Sequence, residues 1–238
     1  MKIKASVLKL FIKKVSLNNG ISTINLDFNA DAVTSSIKDI TQVAMTLGTL
    51  KKEAFEDYEP IGRVYIKNAN SLSVYLSSFS DMVTLEKVNE YLMKLKDDKR
   101  EVHLILGSDL IVENIIEDNS KLNALEFDAK TTVKFADFAH TKKDMDYAKS
   151  DTITLNFKDK SLILEVGDQG QSDYFLNMID LPEAVPENKV ILGSYFMDAV
   201  SVMCDEFRIE AKTGMPIKII EEMALMNFTC FIAPKTAN

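Results

Sequence analysis

The two histidines of this 238-residue chain, His103 in an alternating segment and His140 in a helical one, stand near no serine or cysteine in a nucleophile motif. Its eight glycines are scattered singly, so no glycine-rich phosphate loop is present in the sequence. Asp144-Met145-Asp146 and Asp57-Tyr58-Glu59 could pair carboxylates around a cation, but isolated acidic pairs on a net-acidic surface are ordinarily solvated. Cys204 and Cys230 fall inside a helix pattern and a strand pattern, with no metal-ligand spacing around them. Two buried free thiols are expected rather than a disulfide. These residues predict no catalytic group, no metal site and no cofactor.

Charge is more informative. The formal net charge is −8, which ordinarily argues against a nucleic-acid ligand because neutralising phosphates takes lysine and arginine. The distribution, however, is uneven: no acidic residue occurs from Met1 to Leu26, a stretch holding Lys2, Lys4, Lys9, Lys13 and Lys14. On a helical projection Val7, Leu8, Phe11, Ile12 and Val15 share one face, while Lys9, Lys13 and Ser16 share the opposite one. A basic helix face on an acidic protein follows, and the alternative is a solvated face with no partner.

The elements that must position these residues are mostly strands. Ile21–Phe28, Ala32–Ile37, Gln42–Leu47, Gly62–Lys67, Met82–Val88, Glu90–Leu95 and Glu101–Leu106 alternate between turn residues, with Asn18-Asn19-Gly20 and Lys96–Lys99 as the clearest turns. A second series runs Leu125–Lys130, Thr152–Phe157, Ser161–Val166, Asp173–Ile179, Lys189–Leu192, Glu206–Ala211, Pro216–Glu221 and Asn227–Ala233. Helical segments Lys9–Val15 and Leu72–Phe79 in the first half are matched by Phe135–Met145 and Tyr195–Met203 in the second. The stretches Ser71–Lys87 and Tyr195–Lys212 share an order of short amphipathic helix, acidic turn and alternating strand, so the chain looks duplicated. Many strands with two short helices per half predict an α+β fold, antiparallel sheets with helices on one face. Between the halves, Gly107–Asn123 has no period yet keeps Leu110, Ile111, Val112, Ile115, Ile116 and Leu122, an apolar connector that is either buried or a docking surface. The sequence has no apolar run long enough to cross a bilayer, and its lysine-interrupted start is unlike a signal peptide, so an intracellular protein is expected.

Several segments resemble one family when taken in order. Met215-Pro216-Ile217-Lys218-Ile219 followed by Phe231-Ile232-Ala233-Pro234-Lys235 resembles the closing hairpin of the proliferating-cell nuclear antigen (PCNA) sliding clamps. Gln42-Val43-Ala44-Met45 through Glu53-Ala54-Phe55-Glu56-Asp57-Tyr58 is similar to a strand pair of those clamps, with Ala54 where the family usually has glycine. Ile61-Gly62-Arg63-Val64 leading into Leu72–Phe79 resembles the next step, and the duplication and apolar connector fall in the same order.

The resemblance implies two clamp domains, 1–108 and 124–238, joined by a connector, 109–123, in a ring of three with sheets outside and helices facing a central hole. It implies a non-enzymatic processivity factor that encircles duplex DNA without base readout and tethers DNA polymerase, a clamp loader and other peptide-motif proteins. Residues facing DNA would be Lys4, Lys9, Lys13, Lys14, His140 and Lys143. Subunits would join through Val102, Leu104 and Leu106 of one copy and Tyr174, Leu176 and Met178 of the next. A partner peptide carrying a glutamine and two aromatics would dock on Val43, Met45, Ile115, Ile116, Leu122, Pro216, Phe231, Ala233 and Pro234. Leu72–Phe79 and Tyr195–Met203 carry no lysine or arginine, and the connector lacks a proline-rich end. That motivates an alternative, a diverged clamp-fold interaction or transcription-regulatory protein that does not encircle DNA.

Overall fold

A computed structural model describes residues 1–108, 115–167, 170 and 173–235. Its chain divides into two units: Met1–Ile40, Met45–Glu117 and Glu222–Phe228 form the first; Thr41–Ala44, Asp118–Glu221 and Thr229–Asn238 form the second.

In the first unit, β1 (Lys2–Lys4) runs directly into α1 (Ala5–Val15). The helix begins four residues before the expected segment Lys9–Val15, because Ala5 is also buried and continues the stripe of Leu8, Phe11, Ile12 and Val15. Lys13 and Lys14 occupy its last turn, where cations suit the helix dipole. Thr46 Oγ1 donates to the Val15 carbonyl at 2.8 Å, so one orphan carbonyl of the helix end finds a buried partner. Leu17, Asn18 and Asn19 then take positive φ, and the Asn18 amide turns back to the Lys13 carbonyl at 2.8 Å. Ser16, expected on the polar face, lies beyond the last turn and is buried; its hydroxyl donates to the Lys13 carbonyl.

Strands β2 (Ile24–Phe28), β3 (Ala32–Lys38) and β4 (Ala44–Lys51) pair antiparallel in sequence, and β6 (Gly62–Ile66) closes on the far side of β2. A second sheet has the order β5-β1-β7-β8-β9, where β5 is Phe55–Glu56, β7 Met82–Asn89, β8 Leu92–Lys96 and β9 Glu101–Ile105. All its pairings are antiparallel, so β9 is an edge. Two-residue β5 and three-residue β1 are too short to show alternation and exist only through distant partners, as in Ile3 opposite both Phe55 and Val83. The outer edge of β6 is blunted by Lys87, whose ammonium donates to the carbonyls of Ile61 (3.0 Å) and Arg63 (3.4 Å). Helix α2 (Ala69–Leu76) starts at Asn68, whose side chain accepts from the Ser71 amide at 2.9 Å, and buries Ala69, Leu72, Ser73 and Leu76.

The second unit places β10 (Ala129–Lys134) against β13 (Glu206–Ala211) in unbroken register, and β13 against β14 (Ile217–Glu222). Strand β15 is Met226–Ile232. The expected strand Leu125–Lys130 sits four residues later, since Thr131 and Val133 share the buried side with Ala129. Four expected strands fuse into two: β11 (Thr152–Val166) and β12 (Phe175–Gly193) form one long hairpin. The register shifts on both sides of Asp159, which takes φ +49°, so a bulge carries the chain through what reads as a turn. The single expected helix 135–145 is two pieces, a 3-10 turn Phe135–Phe138 and α4 (Thr141–Ala148), preceded in chain order by α3 (Ser120–Asn123). Asp137 accepts from the Lys134 amide at 2.8 Å and fixes the first piece. Phe138 packs with Phe196 and Phe207 at ring separations of 5.8 and 5.7 Å, the aromatic centre of this unit's core.

Helix α5 (Tyr195–Val200) buries Phe196, Met197, Ala199 and Val200, and leaves Asp198 half-buried. Burial raises the Asp198 pKa, against a smaller lowering by Lys142. A raised folded-state pKa means that ionised Asp198 opposes folding at neutral pH, and protonation removes the opposition as pH falls through that value towards the ordinary carboxylate range. Asp198→Asn is expected to raise the melting temperature at pH 7 by roughly 1–2 °C, with a gain that vanishes below the ordinary carboxylate range. Thermal scans from about pH 3 to 8 check this; a gain independent of pH would assign the effect elsewhere.

Candidate interaction surfaces

Of the six residues expected to face DNA, five are accessible. Lys4, His140 and Lys143 are exposed, and Lys9 and Lys13 are half-buried on the side of α1 away from its core stripe. The sixth is a correction: Lys14 is fully buried, its ammonium 5.7 Å from the ring centroid of Phe228. It follows Val7 by seven residues and so lies only about 20° from it around the helix, on the flank of the apolar stripe. In α4, Asp144 accepts from the Asn177 side chain at 2.7 Å, and Asp137 is engaged by backbone. Both carboxylates flanking His140, Lys142 and Lys143 are therefore turned to local structural bonds.

The edge of β9 requires a second correction. Leu104 and Leu106, expected at a subunit junction, are 7% and 2% exposed and belong to the unit's own core; Val102 is half-buried. The outward side chains are Glu101, His103 and Ile105, the last 61% exposed. Leu106 donates its amide to the Tyr91 carbonyl at 2.9 Å, in register with the β8–β9 ladder. By alternation the amides of Val102 and Leu104 point to β8, and those of Glu101 and His103 to the open edge; the Ile105 amide points the same way, where the chain meets β6 through the Leu106–Ile66 bridge and the Gly107 amide donating to the Tyr65 carbonyl at 2.7 Å. Charges on this sheet pair across strands, Glu86 with Lys96 at 2.8 Å and Lys94 with Glu101 at 3.6 Å, and along β9, Glu101 with His103 Nε2 at 2.5 Å. The His103 hydrogen bond, aided by Lys94, holds the Glu101 carboxyl below its usual range.

On β12 the segment Phe175–Asp180 pairs with β11 on one side only. Leu176 and Met178 are 52% and 61% exposed, as expected of a junction, while Tyr174 is half-buried. Tyr147 of α4 is also largely exposed, its ring 6.3 Å from that of Phe175, on the side of β12 opposite Leu176 and Met178. Ile105 and Tyr147 were not singled out by sequence, although an apolar residue on the polar side of an alternating strand, or after two lysines and two aspartates on a helix, is the available signal.

Residues expected to hold a partner peptide are only partly brought together. Leu110, Ile111 and Val112 of the connector lie outside the described residues. Ile115 bridges to Ile37, and the Ile116 amide donates to the Ser36 carbonyl at 3.1 Å, so this end of the connector pairs along β3. Arg63 holds it there: its guanidinium bonds Asp27 at 3.3 Å and Glu117 at 2.8 Å, and the Glu117 hydrogen bond raises its pKa. In the second unit, the Ala233 amide donates to the Val43 carbonyl at 2.8 Å. Val43, Met45, Leu122, Pro216, Ala233 and Pro234 are half-buried. Phe231 departs from expectation at 2% exposed, and Lys218 lies over it with its ammonium 5.6 Å from the ring centroid. Lys218 also approaches Glu210, nine-tenths buried, at 3.7 Å, and Arg208 Nε lies 3.0 Å from the same carboxylate.

Among the described residues no group of three or more histidine, cysteine or acidic side chains could hold a metal ion. No helix among them is long and apolar enough to cross a membrane. Neither cysteine is in a disulfide; Cys230 is buried as expected, but Cys204 is exposed at the turn before β13.

No protein-family model matches the chain. A curated relative named DNA polymerase sliding clamp, from Methanococcus maripaludis, is 22% identical over 244 residues and covers 94% of each chain. Among solved structures, A. fulgidus PCNA bound to the C-terminal region of FEN-1 superposes with a TM-score of 0.78 at 18% identity, covering 100% of this chain and 98% of that one. The PCNA2–PCNA3 complex from Sulfolobus tokodaii gives 0.78 at 18% identity over 99% of both chains, and PCNA from Entamoeba histolytica 0.78 at 17% over 99% and 98%. The chain therefore has the PCNA sliding-clamp fold, over its whole length and with antiparallel sheets as expected.

Proposed function

We propose that this chain is a DNA sliding clamp, a non-enzymatic, intracellular processivity factor that closes into a ring of three around duplex DNA and tethers polymerase, clamp loader and peptide-motif proteins. The observation that carries this is the whole-length likeness to a DNA polymerase sliding clamp and to PCNA structures, in a chain whose acidic surface is interrupted by the lysine face of α1. Topological closure needs no tight binding, so Lys4, Lys9, Lys13, His140 and Lys143 need only make the hole the favourable place for phosphate. The acidic remainder repels it. Subunits join head to tail, the open edge of β9 meeting that of β12 on the next copy, which removes both exposed edges.

The test is topological. Loaded on nicked circular DNA the protein is expected to stay bound through a high-salt wash and to be lost when the circle is linearised. Lys9→Ala with Lys13→Ala is expected to lower salt-sensitive association about tenfold and to flatten its salt slope by about two, with little change in melting temperature. Equal retention on circular and linear DNA would support the second reading, an interaction module that does not encircle DNA, which is favoured by the absence of lysine and arginine from α2 and α5.

A further inference from the structure

We infer that Lys218 makes the peptide-docking surface of the second unit selective for an acidic residue beside the docking peptide's apolar anchors. The inference rests on the clamp reading for the existence of a docking peptide, and on this chain's own residues for the charge. Pro216 immediately precedes β14 and stands two residues from Lys218, and Ala233 immediately follows β15, two residues from Phe231; continued alternation puts each pair on one side of its strand. Lys218 joins them, its ammonium over the Phe231 ring and its side chain 22% exposed.

The local charge does not cancel. Arg208 and Lys218 both face the single carboxylate of Glu210, whose side chain is 8% exposed, leaving a surplus positive charge on a chain of net −8. The two pairs are unequal: Arg208 Nε lies at hydrogen-bonding distance, 3.0 Å, whereas Lys218 stands off at 3.7 Å. A carboxylate arriving on a peptide can therefore take the Lys218 ammonium without stranding buried Glu210, which keeps Arg208. The same movement lifts the lysine off Phe231 and uncovers an aromatic surface for the peptide's apolar side chains. A neutral peptide has to displace Lys218 with nothing to receive its charge.

The probe is a synthetic peptide carrying a glutamine and an aromatic pair, made with aspartate or with asparagine flanking the pair on either side. Calorimetry on the parent at low salt is expected to show the aspartate form binding roughly three- to fivefold tighter, with the preference fading by 0.5 M salt. Lys218→Met keeps an unbranched stem over Phe231 but no charge; it is expected to bind both forms alike, and Lys218→Arg to restore the preference. Circular dichroism melts establish that each variant is folded. Equal affinity for the two forms in the parent, or a preference that survives in Lys218→Met, overturns the charge assignment alone. Failure of the parent to bind either peptide overturns the docking reading and this inference with it.

Discussion

Replacing Ile105 by proline is expected to abolish self-association while leaving the monomer folded. The Ile105 amide points away from β8, so proline breaks no bond to β8 and removes a donor at the end of the edge where a neighbouring copy would pair, next to the Leu106–Ile66 bridge to β6. Its side chain is 61% exposed, so little core is lost. Restriction of the preceding residue to extended backbone suits Leu104, already in a strand. Loss of a ladder bond together with a central apolar contact is expected to weaken assembly at least a hundredfold, about 3 kcal/mol, with a melting temperature within a few degrees of the parent. Leu104→Pro makes the contrast: its amide faces β8 and its side chain is core, so that variant is expected to unfold the first unit. Sedimentation at low micromolar concentration reads the difference. An unchanged oligomer for Ile105→Pro would remove β9 from the junction.

That pair of variants also marks where sequence reasoning succeeded and where it slipped. Alternation from Glu101 to Leu106 located the strand, and the edge position followed from the family resemblance. The resemblance puts the apolar side at the junction, but in an edge strand packed on its own sheet the apolar side is core, and the neighbour meets the other side and the backbone edge. Lys14 slipped differently. Its lysine identity outweighed its helical angle, yet a long aliphatic stem beside Val7 can be buried when an aromatic ring, Phe228, receives the ammonium. Phe228 is more than two hundred residues away, so nothing local announced it. Long-range partners also explain β1 and β5, which are too short to carry a pattern, and the fused hairpin β11–β12, where Asp159 and Pro182 look like breaks but sit at a bulge. The core stripes of β3 and β4 were legible because each buries mainly one side and so writes its period into the chain. The Lys218–Glu210–Arg208 group was not legible, because its members converge only through the register that sets Glu210 opposite Lys218.

The seat of α1 is the other place where one atom decides much. Gly48 lies in β4, beneath the helix, two residues from the Thr46 hydroxyl that holds the Val15 carbonyl. A Cβ at position 48 would stand 2.4 Å from Val15 Cγ1 and 2.9 Å from Phe11 Cε2. Both side chains are buried in the core and cannot swing into solvent, so the helix must lift from the sheet. Gly48→Val is therefore expected to cost at least about 1–3 kcal/mol, lowering the melting temperature by roughly 3–12 °C. Because α1 also presents Lys9 and Lys13, the displacement is expected to weaken salt-sensitive DNA association even at temperatures where the variant is fully folded. Gly214→Ala controls for the loss of a glycine as such: its φ of +77° makes alanine strained, but nothing lies within 4 Å of the added carbon. It is expected to lower the melting temperature slightly and leave DNA association unchanged. Calorimetry and a salt titration of DNA binding on both variants decide the matter. A Gly48→Val protein that melts with the parent would mean that α1 does not rest on β4 at this distance, and the lysine face would lose its structural support.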